Sequence, residues 1–183
     1  MTQAPDSTSP DQRAPLTLAE GACLGLVATG HRHGWALVRD LARDGELGGV
    51  WTLSRPLTYR AIDRLVERGC LTRAGREPGV GPERTLLSIT PEGTRALSEW
   101  LATPVTHLRD VRTEFLVKLS LARRLEVDRL AMIEAQERIL QPIVEAVAAS
   151  VAKDGDDLAQ LWRVESSKSV AEFLRQARAQ LER

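Results

Sequence analysis

The segment from Ser54 to Gly75 constrains the fold more than any other part of the chain, because it predicts a capped helix that leads directly into a strand. Ser54 is a favoured N-cap residue. Pro56 is tolerated in a first helical turn, where the backbone amides have no helical partner. Gly69 ends the helical periodicity. A helix from Ser54 to Gly69 is therefore predicted, with a β-strand after it.

This predicted helix has an apolar side and a charged side. At 100° per residue, its apolar side carries Leu57, Ala61, Ile62, Leu65 and Val66, and its other side carries Pro56, Tyr59, Arg60, Asp63, Arg64 and Glu67. The formal net charge of the whole chain is zero, but residues 54–100 hold eight Arg against six acidic residues. Residues 126–183 instead hold eleven acidic residues against eight basic ones. The positive charge is thus local, as a nucleic-acid footprint would require.

Two further helices are predicted before this one. Thr17-Leu18-Ala19-Glu20 has the pattern of a capping box, so a helix should begin at Thr17 and run through an almost wholly apolar stretch to Gly30. A helix that is apolar on every side is buried from more than one direction. The second helix should follow His33-Gly34 and end near Gly45, with an apolar stripe of Trp35, Leu37, Val38 and Leu41.

Two strands and one more helix are predicted after Gly69. CLTRAGR and RTLLSIT are typical of strands, and EPGVGPE between them is typical of a turn. Thr90-Pro91 then begins a helix, with proline at its first position. Three short helices followed by a β-hairpin form a winged helix-turn-helix. The expected fold class is mainly α with a small β-hairpin wing.

Long helices dominate the chain after Leu101. Three are predicted, and Pro142 is expected to kink the second. The last carries a broad apolar stripe that includes Leu158, Leu161, Val170, Phe173 and Leu174. Without a partner sheet, these faces must pack against each other, the first domain or another copy of the chain. We therefore expect a disordered tail at 1–15, a DNA-binding domain at 16–101 and a helical dimerisation and effector domain at 102–183.

The composition limits the class of protein. No apolar run approaches the roughly 20 residues that span a bilayer, and the first residues lack the features of a secretory signal, so a cytoplasmic location is expected. Cys23 and Cys70 lie in apolar patterns typical of buried thiols. No nucleophile elbow, phosphate-binding glycine loop or paired-carboxylate motif occurs, so an enzyme is not expected.

Several of these motifs together resemble the PadR family of bacterial transcriptional regulators, over residues 16–183. The resemblance rests on LTLAEGACLGLVATGHRHGWALVRDL and on SRPLTYRAIDRLVERGCLTR, with Ser54, Tyr59, Leu65 and Gly69 in place. It continues through SITPEGTRALSEWL and RDVRTEFLVKLSLA. One departure is Leu87, where many relatives carry a tyrosine, which puts in doubt any wing contact that a tyrosine would make.

The resemblance implies a homodimeric repressor, whose C-terminal helices form the dimer and help to shape a pocket for a small aromatic or apolar effector. A two-fold dimer implies a palindromic operator in double-stranded DNA. The alternative function is a winged-helix protein-interaction module that does not bind DNA. The basic helix face favours the first hypothesis.

The candidate DNA-contacting residues lie on the charged helix and on the wing. Arginine suits both phosphate oxygens and guanine edges. A solvated helix face and ordinary hairpin solubility are the alternatives for these positions. The candidates are Ser54, Arg55, Thr58, Tyr59, Arg60 and Arg64 on the helix, and Arg76 and Arg84 on the wing.

Candidates for dimer and effector contacts lie outside that helix. Leu24, Leu158, Leu161, Val170, Phe173 and Leu174 are predicted to pack across the two-fold axis. Trp100 and Trp162 are candidates to line an effector pocket, and core packing is the alternative. No metal or other cofactor is expected, because His31 and His33 have no cluster of further ligands around them and zinc needs three or four.

Overall fold

The structure is a computed structural model that describes residues 14–79, 81–150 and 157–183, without the side chains of residues 74, 76–79 and 81–84. The predicted disordered tail lies outside the described residues up to residue 13. The chain divides into two compact units, Met1–Trp100 and Leu101–Arg183. The functions predicted for the two domains stay predictions.

The predicted fold class is confirmed, because the described part of the chain is mainly helical with one two-stranded antiparallel sheet. The first unit contains three helices, a β-hairpin and a fourth helix, in the order of a winged helix. The elements are α1 (Leu18–Ala28), α2 (Gly34–Asp40), α3 (Arg55–Glu67), β1 (Leu71–Gly79), β2 (Gly81–Ile89) and α4 (Pro91–Ala102).

Helix α1 lies at the centre of the first unit. The Thr17 hydroxyl accepts from the backbone amide of Glu20, and the Glu20 carboxylate accepts from the amide of Thr17, so the predicted capping box is present. Every residue from Glu20 to Val27 is buried. Leu24 is 0% exposed in the single chain, which leaves it no surface for the dimer contact predicted for it. That prediction is corrected.

The hairpin is longer than its predicted strands. Leu71 pairs with Ile89 and Glu77 with Arg84, so the ladder extends into the segment predicted as a turn. The backbone amide of Leu87 donates to the carbonyl of Arg32 across 2.8 Å. This bond fixes the start of α2 against the hairpin. Leu87 itself is buried.

The second unit is a set of helices. It contains α5 (Leu108–Asp110), a π-helical turn (Val111–Phe115), α6 (Leu116–Arg124), α7 (Arg129–Ala149) and α8 (Leu158–Leu181). The first long helix predicted here is therefore interrupted by a π turn. Pro142 lies inside α7. The core contains Val105, Val111, Phe115, Ala122, Met132, Ile133, Leu140 and Leu174.

Two buried polar side chains fix the segment before α5. Gln136 is 0% exposed, and its amide accepts from the Val105 backbone amide at 2.9 Å and donates to the Val105 carbonyl at 2.7 Å. The buried Lys118 ammonium lies 2.7 Å from both the Thr103 carbonyl and the Glu114 carboxylate. Burial lowers the pKa of Lys118, and the bond to Glu114 partly opposes this effect. No helix in the described ranges is long and apolar enough to cross a membrane.

Candidate nucleic-acid interface

The rotation of α3 about its axis is set by four buried residues at helical spacing. Thr58, Ala61, Ile62 and Leu65 face the interior of the first unit. They follow the i, i+3, i+4, i+7 pattern of a helix that packs along one stripe. The opposite side is exposed and carries four of the predicted DNA-contacting residues, namely Arg55, Tyr59, Arg60 and Arg64.

Thr58 corrects one part of the predicted site. It is 0% exposed, and its hydroxyl donates to the Ser54 carbonyl at 3.1 Å, so it is not a surface donor for DNA. Leu57, which was placed on the apolar side, is instead 45% exposed. Ser54 is the N-cap residue as predicted, but its side chain forms no capping hydrogen bond. Its exposed hydroxyl stays within reach of a ligand at the start of α3.

The arginines near this face differ in their partners. Arg73 on β1 forms an ion pair with Asp63 on α3, which neutralises both at the side of the helix. Among the described residues no carboxylate pairs with Arg60 or Arg64. These two guanidiniums therefore keep their charge and their donors for an anionic partner.

The sequence interpretation missed an aromatic extension of this face on α2. Trp35 was assigned to the apolar stripe of α2, but it is 51% exposed. The Arg39 guanidinium lies 5.4 Å from the centre of the Trp35 ring, one helical turn further on. The spacing of four residues between Trp35 and Arg39 was the signal that could have revealed the pair.

The two wing arginines are placed by their backbones alone. Arg76 pairs with Thr85 and Arg84 with Glu77, so both lie on the hairpin. Their side chains lie outside the described residues. The DNA contacts predicted for them stay predictions.

The two histidines before α2 have structural positions. His31 lies 3.1 Å from the Asp40 carboxylate, and its other ring nitrogen lies 3.3 Å from the Thr29 hydroxyl. His33 is the N-cap residue of α2. Within the described ranges, no three metal-binding side chains of the His, Cys, Asp and Glu types come together.

Residues 23–99, which run from α1 to α4, match the family described as the transcriptional regulator PadR-like family. The chain carries a PadR-like domain. The family is one of transcriptional regulators. The exposed arginine face of α3 and the hairpin beside it both belong to this PadR-like domain.

Solved structures to which the chain is similar include two of Bacillus subtilis PadR. The one in complex with operator DNA is 21% identical, with coverage of 92% of this chain and 98% of that chain and a TM-score of 0.47. The one in complex with p-coumaric acid is 20% identical, with coverage of 91% and 100% and a TM-score of 0.43. No curated protein matches the chain.

The residues predicted for dimerisation on α8, after the PadR-like domain, fall into two groups. Leu158 and Leu161 are 71% and 55% exposed, and Trp162 beside them is 72% exposed. Val170 and Phe173 instead pack against the core of their own unit, and Leu174 is 3% exposed within that core. The prediction of one continuous dimer face is thus corrected, because the second half of α8 is already covered by its own chain.

The two tryptophans proposed for an effector pocket have different surroundings. Trp100 is buried, and its ring packs against Gly21 of α1, as the core alternative predicts. Trp162 is exposed on α8. A cleft of about 660 Å³ lies between α7 and α8, and neither tryptophan lines it. The cleft is lined by Glu137, Arg138, Leu140, Gln141, Val144, Lys168, Ala171, Glu172, Leu174 and Arg175.

Proposed function

We propose that the chain is a sequence-specific DNA-binding transcriptional regulator that acts as a homodimeric repressor. The observation that carries this proposal is the exposed face of α3 within the PadR-like domain. Arg60 and Arg64 have no carboxylate partner among the described residues, and Arg55 lies over the ring of Tyr59 at 5.8 Å. The buried side of the same helix holds these donors on a rigid support.

The chemistry of the face suits both parts of DNA recognition. A guanidinium can bind a phosphate oxygen, which positions the protein, or the O6 and N7 edge of guanine, which specifies sequence. The first half of α3, from Ser54 to Arg60, carries the residues that would enter a major groove. Arg64 lies one turn further on and suits the phosphates beside that groove.

The exposed first half of α8 supports a dimer. Leu158, Leu161 and Trp162 lie at i, i+3 and i+4, so they form one apolar patch on two turns of the helix. Large apolar side chains are rarely left this exposed, so the patch favours association with another surface. In a homodimer the same patch would meet its own copy across a two-fold axis, and the operator would be palindromic.

Repression follows if the dimer occupies an operator that overlaps a promoter. A small aromatic or apolar effector would relieve it by favouring a dimer whose two α3 helices no longer match the two half-sites. The cleft between α7 and α8 is the site that we propose for it. Leu140, Val144 and Leu174 give an apolar lining. The charged lining residues are of both signs, namely Arg138, Lys168 and Arg175 with Glu137 and Glu172.

The test is selection of duplexes from a randomised pool, followed by footprinting and anisotropy titration of the selected sequence. We expect a palindromic site and expect Arg60→Ala to weaken binding by about 1–3 kcal/mol, concentrated at one base pair in each half-site. Arg95→Ala is the matched control, because Arg95 is exposed on α4 and paired with Glu92. It should bind like the unmodified protein.

Salt dependence provides a second readout. If several phosphates are neutralised, log affinity should fall linearly and steeply with log salt between about 50 and 200 mM. A protein that selects no duplex and shows no salt-dependent binding would disprove the proposed function. That result would favour the protein-interaction module instead.

A further inference from the structure

Two exposed arginines of the first unit lie against aromatic rings rather than beside carboxylates. On α3, the Arg55 guanidinium lies 5.8 Å from the centre of the Tyr59 ring. On α2, the Arg39 guanidinium lies 5.4 Å from the centre of the Trp35 ring. Both rings are themselves exposed, at 38% and 51%. Neither arginine forms an ion pair within the described ranges.

Gly34 joins the two pairs into one surface. A Cβ added to Gly34 would lie 2.8 Å from Cε1 of Tyr59, so only a residue without a side chain allows the ring to approach α2 this closely. Trp35 is the next residue in the chain. The surface therefore runs from Arg55 over Tyr59 and Gly34 to Trp35 and Arg39.

A ring behind a guanidinium limits its conformations without using its donors. The attraction of the cation to the ring face restricts where the side chain can lie, while the N–H groups point outward in the guanidinium plane. An ion pair with a carboxylate would occupy the same donors and cancel the charge. The ring-backed arrangement therefore suits an anionic partner. For a protein that binds DNA, as proposed above, that partner is the phosphate backbone.

We propose that Trp35 and Arg39 form a second phosphate-binding station on α2, beside the proposed reading helix α3. Arg39 binds a phosphate of double-stranded DNA, and Trp35 is the positioning residue that holds its guanidinium ready. The station adds affinity without sequence preference, because a phosphate is the same at every base pair. This inference rests on the proposed function and extends it to a helix outside α3.

The experiment measures anisotropy of the dimeric protein with its selected duplex and with a scrambled duplex, across about 50–200 mM salt. Arg39→Ala should weaken binding to both duplexes by about tenfold and lower the salt slope by about one for each protomer bound. Trp35→Ala should weaken binding by about threefold and leave the salt slope unchanged, because the Arg39 charge remains. The double variant should bind no more weakly than Arg39→Ala.

Conservative variants distinguish a positioning role of Trp35 from a role in folding alone. Trp35→Phe keeps a ring and should restore most of the affinity, even if Trp35→Ala lowers stability. Arg39→Lys should keep the salt slope but lose affinity, because an ammonium does not lie flat on a ring as a guanidinium does. Arg95→Ala should behave like the unmodified protein.

Two results would overturn the inference and leave the proposed function in place. If Arg60→Ala weakens binding while Arg39→Ala does not, the station is absent although the proposed function holds. If the Trp35→Ala and Arg39→Ala losses add in the double variant, Trp35 does not act through Arg39. An unmodified protein that binds no duplex would remove the inference together with the proposed function.

Discussion

The Arg68 guanidinium donates to the Glu20 carboxylate across 3.1 Å, and this buried pair joins the first turn of α1 to the C-cap of α3. The same carboxylate oxygen accepts from the amide and the hydroxyl of Thr17 at 2.9 and 3.0 Å. One side chain thus caps α1 and anchors the end of the helix that carries the DNA-contacting face. The position of that face depends on a contact far from it.

Removal of this carboxylate should be costly. Glu20→Ala leaves Arg68 with its remaining contact to the Ala14 carbonyl and leaves the Thr17 donors without their acceptor. We expect a loss of about 3 kcal/mol in the free energy of unfolding, measured by urea titration. Arg68→Met should cost less, because Glu20 keeps its bonds to Thr17. The double variant should lose less than the sum, and strict additivity would show that the pair is not coupled.

The Gln136 amide should matter for the stability of the second unit. Gln136→Leu has similar volume but leaves the amide and carbonyl of Val105 buried without a partner. We expect it to lower the free energy of unfolding by about 2–3 kcal/mol. Gln141→Leu is the control, since among the described residues its amide bonds only to exposed Glu145 on the same helix. It should change stability by less than about 0.5 kcal/mol. Equal effects would contradict the role assigned to Gln136.

A second pair of variants distinguishes the proposed dimer patch on α8 from the core of the second unit. Leu161→Asp should leave the protomer folded, because Leu161 is already half exposed, but should shift sedimentation toward the monomer across a concentration series. Phe173→Asp should lower thermal stability first, because Phe173 packs against its own core. Ala159→Asp, on another side of α8, is the control. A stable Leu161→Asp dimer would place the interface elsewhere.

The buried thiol of Cys23 gives a prediction for alkaline pH. Burial, with a smaller effect from the Glu20 charge, raises the pKa of Cys23 from 9.0 to about 12. Between those values the unfolded thiol loses its proton while the folded one keeps it, so this contribution to stability is complete below about pH 9 and is lost toward about pH 12.

The stability difference between Cys23→Ala and the unmodified protein should therefore vary with pH in this window and be constant below it. Native Cys23 should also react with iodoacetamide only as fast as the chain unfolds. Rapid alkylation of the folded protein would contradict the burial of this thiol.

Local signals in the sequence were enough to predict where several helices begin or end. The residues from Thr17 to Glu20 predicted the start of α1, because a capping box is satisfied entirely within one turn. Gly69 predicted the end of α3, and it has a positive φ of 71°, which favours glycine. The order of helices and strands in the first unit followed from such signals.

The sequence did not predict the rotation of α3 about its axis, because hydrophobicity favoured Leu57 over Thr58 as the buried residue. Thr58 completes the spacing with Ala61, Ile62 and Leu65, and its hydroxyl is satisfied by the backbone of its own helix, so its burial costs little. The sequence also did not predict that the first half of α8 is exposed while its second half packs against the core. The stripe is continuous in the sequence, but α7 covers only part of it.

The π turn at Val111–Phe115 makes this part of the chain tolerant of the loss of one residue. A π turn holds one residue more than an α turn and takes up that residue locally. Loss of one residue there would restore α-helical geometry and leave α6 in the same rotation about its axis. A deletion at the start of α6 would instead rotate the residues after it by about 100°, and Lys118 would lose its buried contact with the Thr103 carbonyl. A one-codon deletion should therefore be accepted within the turn and rejected in the helix that follows it.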